Sequence, residues 1–200
     1  MSTNDRTVIG NASPDFTGGW NNTFTYKGFD LNVFMNFAVG GDVFNMSTQR
    51  FIGPYLANQN TISTMRDRFS LIDPATGKES TDLQRLAALN PHQYSKDAMW
   101  NISTNNKTAI SDHSSYYIED GSYLRLSTIT LGYTLPKNIV KRAKINNARI
   151  YCTLNNIYTF TDYTGYDPEV SATSSALTPG IDNSSYPRSK SWVLGVNLTF

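Results

Sequence analysis

Histidine, cysteine and charge are all scarce in this 200-residue chain: it has two histidines, one cysteine and 16% charged residues. His92 and His113 lie 21 residues apart, and the single Cys152 is elsewhere, so no zinc-ligand spacing exists. One cysteine cannot form an internal disulfide, and Cys152 sits in an alternating segment as a small apolar side chain. The formal net charge is +1 and no Lys/Arg run exceeds two residues. The positive footprint that neutralises a phosphate backbone is therefore missing, and nucleic acid is not an expected partner. No stretch approaches the ~18 apolar residues of a spanning helix. The opening "MSTNDRTVIG" has neither a basic n-region nor an apolar h-region. If residue 1 is the true start, the chain is neither exported nor inserted as a helix.

Catalytic motifs are lacking too. There is no G-x-S-x-G, no H-E-x-x-H and no phosphate-cradling glycine loop, since the glycines of "VGGDVFN" open no helix after a phosphate-site strand. Neither an enzyme nor a cofactor is expected. Asp162, Asp167 and Glu169 in "TDYTGYDPEV" offer oxygen ligands for Ca²⁺ but do not match the EF-hand spacing. They read instead as part of a Tyr/Asp/Pro-rich turn.

What the chain does have is Asn, Ser and Thr accompanied by 12 Tyr, 10 Phe and 3 Trp, arranged with period two. In "DFTGGWNNTFTYK" (15–27), Phe16, Trp20, Phe24 and Tyr26 share one face, with Thr17, Asn21, Thr23 and Thr25 opposite. "FDLNVFMNFAV" (29–39) sets Phe29, Leu31, Val33, Met35, Phe37 and Val39 against Asp30, Asn32 and Asn36. "SYLRLSTITLGYTL" (122–135) changes parity near Ser127, from Leu124 and Leu126 to Ile129, Leu131 and Tyr133, as a bulge would make it. "ARIYCTLNNIYTF" (148–160) aligns Ala148, Ile150, Cys152, Leu154, Tyr158 and Phe160. "SWVLGVNLTF" (191–200) aligns Trp192, Leu194, Val196, Leu198 and Phe200, with Val193 the one apolar residue out of phase. Alternation puts these sets on opposite faces of strands.

The runs exceed the five or six residues typical of globular strands and approach the roughly 9–11 that cross a bilayer at a tilt. Their connections alternate: Lys27–Gly28, then residues 40–121, then 136–147, then 161–190. Short and long connections alternating is the pattern of outer-membrane barrels, with short periplasmic turns and long extracellular loops. On that assignment the fifth strand ends in the periplasm. Five strands cannot close a barrel, for which about eight is the practical minimum, so the chain is expected to be the tail of something larger. A loop as long as 40–121 needs structure of its own. Ile62, Met65, Phe69 and Ile72 behind Asn60/Thr61 are spaced for one helix, and Leu83 and Leu86 before Pro91 for another.

Four segments carry a family likeness: "DRTVIGNASPDFTGGWNNTFTYKGFDLNVFMNFAVGGDVFN" (5–45), "YIEDGSYLRLSTITLGYTLP" (117–136), "ARIYCTLNNIYTFTDYTGYDPEV" (148–170) and "YPRSKSWVLGVNLTF" (186–200). Together they span about half of the chain and resemble the C-terminal end of SusC/RagA-type TonB-linked outer-membrane receptors. The resemblance implies an all-β fold: an antiparallel transmembrane β-barrel segment, the last five strands of a 22-stranded barrel, with long, partly helical extracellular loops. It implies import of oligosaccharides, or in some members peptides, with a SusD-like lipoprotein as lid, energy from TonB, outer-membrane lipid around the wall and barrel assembly machinery reading the final strand. The signal peptide, the TonB-contacting segment and the plug of the family pattern are absent from the sequence. Tyr94, Trp100, Tyr116 and Tyr117 in the first long loop, and Tyr163, Tyr166 and Tyr186 in the second, are the weak candidates for cargo contact, since an aromatic face with a polar tip suits sugar rings. The bland alternative for each is loop packing or an aromatic girdle. Trp192, Leu194, Val196, Leu198 and Phe200 are the expected assembly signal. The competing reading of the whole is a secreted soluble β-sandwich, such as a carbohydrate-binding module, whose apolar faces meet in a core.

Overall fold

The computed structural model describes residues 6–52, 60–91, 114–141, 144–169 and 179–200. Ten strands and three α-helices lie among them: β1 Phe16–Tyr26, β2 Phe29–Val39, β3 Asp42–Asn45, α1 Met46–Ile52, β4 Ile72–Asp73, β5 Lys78–Glu79, α2 Leu83–Leu89, β6 Ile118–Asp120, β7 Tyr123–Thr134, α3 Lys137–Val140, β8 Asn147–Phe160, β9 Ile181–Asp182 and β10 Ser191–Thr199. They fall into two compact units.

The larger unit, Gly10–Asn45 with Ile118–Phe200, is built on one five-stranded sheet in the order β1-β2-β7-β8-β10. Every neighbouring pair is antiparallel. The β1–β2 turn uses only Lys27 and Gly28, both at positive φ (46° and 89°), the I′-like geometry whose twist matches that of the flanking strands. Further along the sheet, Phe34 pairs with Thr128 and Met35 with Leu126, so Ser127 is an extra residue. Across the next ladder Leu126 faces Tyr158 and Thr128 faces Asn155, which leaves Asn156 and Ile157 opposite Ser127. Asn156 takes a left-handed φ of 51° to make the turn. The parity change in the sequence is thus a bulge that deepens from β7 to β8. It keeps Leu124, Leu126, Ile129, Leu131 and Tyr133 on one face and bends the sheet.

That face is not covered. Of the residues in the five long strands, Ala38 and Ala148 are the only buried apolar side chains among those described, whereas Trp192 is 71% exposed, Leu194 66% and Phe24 60%. A β-sandwich would stack a second sheet on this surface about 10 Å away. The described residues provide none, and the alternative fold expected from the sequence is not favoured. The sheet has the two short connections at one end, Lys27–Gly28 and 135–146. At the opposite end β6-β3-β9 forms a small second sheet, with β3 antiparallel to β6 and parallel to β9. These strands of two to four residues are too short to show periodicity, and the sequence pattern did not mark them.

The smaller unit, residues 1–9 with 46–117, contains α1, the β4–β5 hairpin and α2 around a minor core of Ile52 and Met65, with Ile62 packed against it. The helix expected from Ile62, Met65, Phe69 and Ile72 is not formed. Only a 3₁₀ segment, Ser63–Asp67, appears, and Arg68 is already extended. Two tertiary contacts override the spacing: Asn90 bonds both backbone groups of Ser70, at 2.6 and 3.0 Å, and Ser80 N–H donates to the Leu71 carbonyl. Both hold 70–72 extended and deliver Ile72 into β4. The second expected helix is α2, capped by the Asp82 carboxylate on the Gln84 N–H at 2.9 Å.

Candidate functional site

The polar face of the large sheet carries a series of separate hydrogen-bonded clusters, laid out in layers by the pairing registers. Nearest the short turns, Arg149 of β8 reaches over β7 to grip Asp30 of β2 through Nε and Nη2. Asn32 donates to Asn21 and Thr23, each at 2.9 Å. Thr130 meets Thr153 at 3.0 Å, and Thr128 donates to Asn155, whose amide donates to Ser191. At the bulge, Ser127 donates to the Asn36 carbonyl, and the Asn36 amide donates to the Tyr123 hydroxyl. The bulge leaves a recess of about 550 Å³ lined by Phe34, Asn36, Thr128, Asn155, Asn156 and Arg188. Phe34 is the one phenylalanine here, and it is on the polar parity of β2.

Above this surface, at the end with the long connections, sits a buried charge cluster. Arg125 is 2% exposed and Asp167 4%, and Arg125 Nη2 donates to Asp167 Oδ1. Glu169 lies 3.5 Å from Arg125 Nη1 and accepts from Arg188 Nη2 at 2.9 Å. Arg125 also lies over the Tyr123 ring, 5.5 Å from its centroid. Burial alone would raise the Asp167 carboxyl. The hydrogen bonds from Arg125 and from the Glu169 and Arg188 N–H groups outweigh it and hold the group below the usual carboxylate range. Arg125 Nε and Glu169 Oε2 are buried without a hydrogen-bond partner among the described residues. The cluster fastens Asp167 and Glu169, and through Glu169 also Arg188, to Arg125 of β7. Within the 161–190 connection Tyr163 Oη donates to Asp182 Oδ2 of β9 at 2.7 Å, tying its two described parts together. Burial first, and then that carboxylate, push the Tyr163 phenol far above its ordinary value.

The residues singled out in the sequence are not gathered into one site. Tyr94 and Trp100, like His92 and His113, lie outside the described residues. Tyr117 is buried with its ring edge-on to Tyr116 at 5.3 Å, and burial pushes its phenol up to about 12. Tyr163 is buried as described, whereas Tyr166 and Tyr186 are 75% and 89% exposed. Asp167 and Glu169, considered as oxygen ligands, are engaged by arginines. Trp192, Leu194, Val196 and Leu198 form one exposed apolar line along β10, paired with Leu154, Cys152, Ile150 and Ala148, and Phe200 follows beyond the strand. The sequence pattern marked Asp30 only as one residue of a polar face and did not single out Arg125 or Arg149. Their signal was a charge at polar parity inside a long alternating strand, where threonine and asparagine otherwise prevail.

No protein-family model matches the sequence. Among curated proteins, the whole chain is 30% identical to TonB-dependent receptor P3 of Formosa agariphila, covering 18% of that protein. It is 32% identical over 98% of its length to TonB-dependent receptor P39 of the same organism, and 37% identical over 44% of its length to TonB-dependent receptor SusC of Bacteroides thetaiotaomicron. The chain is similar along its whole length to part of TonB-dependent receptors, and over 44% of it to part of SusC. It spans less than a fifth of the length of the curated relatives it matches. In fold, the chain superposes over its full length on a solved RagAB peptide transporter with a TM-score of 0.75 at 22% identity, covering 19% of that chain. It also matches the RagAB peptide importer in its open-open state with a TM-score of 0.66.

Proposed function

We propose that this chain supplies five adjacent wall strands of a TonB-dependent outer-membrane transporter that imports oligosaccharides, or peptides, together with a SusD-like lipoprotein. The observation that carries the reading is the single sheet of long antiparallel strands with one uncovered apolar face and one hydrogen-bonded polar face. Water satisfies exposed backbone and polar groups but gains nothing from a bare apolar wall; hydrocarbon accepts that wall and demands that every strand be paired. The apolar face then meets lipid and the polar face lines the lumen. Strands β1 and β10 end the sheet, and further wall strands of the receptor would pair with their outer edges. Relatives named TonB-dependent receptors support the transport class, and the RagAB neighbours support a lipoprotein partner.

In this reading the short turns face the periplasm, and 40–121 and 161–190 face outward. The apolar line Trp192, Leu194, Val196, Leu198 and Phe200 is the surface that barrel assembly machinery would read. Import is tested by supplying labelled oligosaccharides and peptides to cells carrying the full receptor, with and without TonB. TonB-dependent uptake of one class is the expected result. A receptor recovered as a soluble, cooperatively melting monomer in plain buffer would overturn the reading.

A further inference from the structure

Phe34 interrupts the polar face. Its neighbours of the same parity in β2 are Asn32 and Asn36, and it pairs with Asn21 of β1 and Thr128 of β7. The side chain is 37% exposed. Its ring leans toward β1, where Gly19 leaves it room: a Cβ on Gly19 would stand 3.1 Å from Phe34 Cε2. A flat apolar surface is thus presented at the recess beside the bulge, whose volume of about 550 Å³ suits a small ligand. Across β7 from Phe34, the bulge sets Asn156 on the lining with φ 51°, and Asn156 Nδ2 donates to the Ser189 carbonyl at 3.1 Å. Among the described residues, Asn156 Oδ1 and Ser189 Oγ take part in no hydrogen bond. Ser191 Oγ accepts from Asn155 at 3.1 Å and has its own proton to give. Charge at this end of the recess is balanced, because Arg125 and Arg188 face Asp167 and Glu169 and pair with them.

We infer that the recess is a subsite for an uncharged sugar ring of the cargo, with Phe34 against its C–H face and Asn156, Ser189 and Ser191 bonding its hydroxyls. The inference narrows the transport reading above and rests on it, since cargo reaches the recess only if the polar face lines the lumen. A sugar ring has an apolar C–H face and a rim of hydroxyls that both donate and accept. An aromatic face beside amide and hydroxyl groups matches both. An acidic sugar would bring a negative charge, and Arg188, the only cation described on the lining, is already held by Glu169 at 2.9 Å. An extended peptide is bound along a free sheet edge or by its charged ends. Here β2, β7 and β8 are each paired on both sides, and no unpaired charge lines the recess among the described residues.

The test presents the full receptor, purified from outer membranes in non-ionic detergent, with equal masses of three probe pools: neutral hexose and pentose oligosaccharides, uronate oligosaccharides, and casein peptides. Bound species are counted by native mass spectrometry. Selective retention of neutral oligosaccharides is expected. Phe34→Leu keeps apolar volume but removes the flat face, and should lower that retention several-fold, whereas Phe34→Trp should preserve it. Asn156→Gly suits the left-handed backbone and removes the amide, so it should lower retention with the sheet intact. Heat-modifiable gel mobility verifies that each variant is folded. Preferred retention of uronates or peptides, retention of no pool, or retention of neutral oligosaccharides unchanged in both Phe34→Leu and Asn156→Gly overturns this inference alone. Equal losses in Phe34→Leu and Phe34→Trp assign Phe34 to packing and overturn it too. Absence of TonB-dependent uptake of all three pools by cells carrying folded wild-type receptor overturns the transport reading and this inference with it.

Discussion

Asp30 and Arg149, on strands that are not neighbours, hold each other across the one residue between them that lacks a side chain. Gly132 pairs with Asp30 on β2 and with Tyr151 on β8, and a Cβ at Gly132 would lie inside 3.0 Å of Arg149 Nε, Arg149 Nη2 and Asp30 Oδ1. The Arg149 guanidinium is also 5.1 Å from the Tyr151 ring centroid. Glycine weakens a strand interior, so its presence in β7 is explained by the close approach it permits. Gly132→Ala should therefore destabilise the folded receptor by about 1–3 kcal/mol, the usual cost of overpacking, by splitting the bidentate pair. The check is the temperature at which heat-modifiable mobility is lost. Unchanged stability would show that the pair has room to move aside.

The Arg125–Asp167 pair predicts how the 161–190 segment is held. Arg125→Met leaves a buried carboxylate uncompensated and should cost about 3–5 kcal/mol in local stability, whereas Arg125→Met with Asp167→Leu should cost clearly less. Limited proteolysis near the exposed Tyr166 and Tyr186 reads the release of the segment. Equal cleavage in the single and double variants would mean that the charge is not what fastens it.

The same carboxylate sets a pH dependence. Asp167 has a folded pKa below its unfolded one, so the unfolded segment binds more protons in between. Its contribution is full above the unfolded carboxylate value of about 3.9 and is lost as pH falls toward the folded value. Pepsin cleavage of the 161–190 segment should rise as pH drops below about 4 in the wild type, beyond the change in the enzyme's own rate. Asp167→Asn should be readily cleaved throughout, with no such step.

Much of this architecture was legible because alternation is a long-range signal in a long strand. Phe16 to Tyr26, Phe29 to Val39 and Trp192 to Leu198 each repeat the pattern often enough to fix the face, and even the slip at Ser127 announced its bulge. Illegible were features created by pairing between distant segments. Nothing near Arg125 in sequence points to Asp167, nor near Asn90 to Ser70, and it was the latter contact that replaced an expected helix with extended chain. The β3, β6 and β9 strands are too short to carry a period. Tyrosine content suggested loop surfaces for contact, yet Tyr117 and Tyr163 are buried, because an aromatic ring is as useful for packing a loop as for presenting it.

Topology is checked by insertion. Thr76–Gly77 turns the β4–β5 hairpin, Gly77 has φ 66°, and a Cβ placed there would meet no atom within 4 Å, so an epitope should be accommodated. In intact cells it should be reached by antibody. An epitope at Asn146, whose N–H donates to the Thr199 carbonyl at the end of the large sheet that carries the short connections, should be reached only after the outer membrane is opened. Labelling of the Asn146 epitope on intact cells would invert the orientation.

Val33 and Asn32 are adjacent in β2, pair with Ile129 and Thr130 of β7, and point to opposite sides of the sheet. If the apolar face meets hydrocarbon, Val33→Arg near mid-strand should cost roughly 2–4 kcal/mol of barrel stability. Asn32→Arg replaces an amide that donates to Asn21 and Thr23 but leaves the new charge on the polar side, where water and hydroxyls solvate it. Its loss should be confined to those two exposed bonds, about 1 kcal/mol. Denaturant titration of the receptor in lipid vesicles, followed by tryptophan fluorescence, measures both. Equal losses for the two variants would sink the assignment, because in a soluble sheet with both faces wet neither arginine would be desolvated.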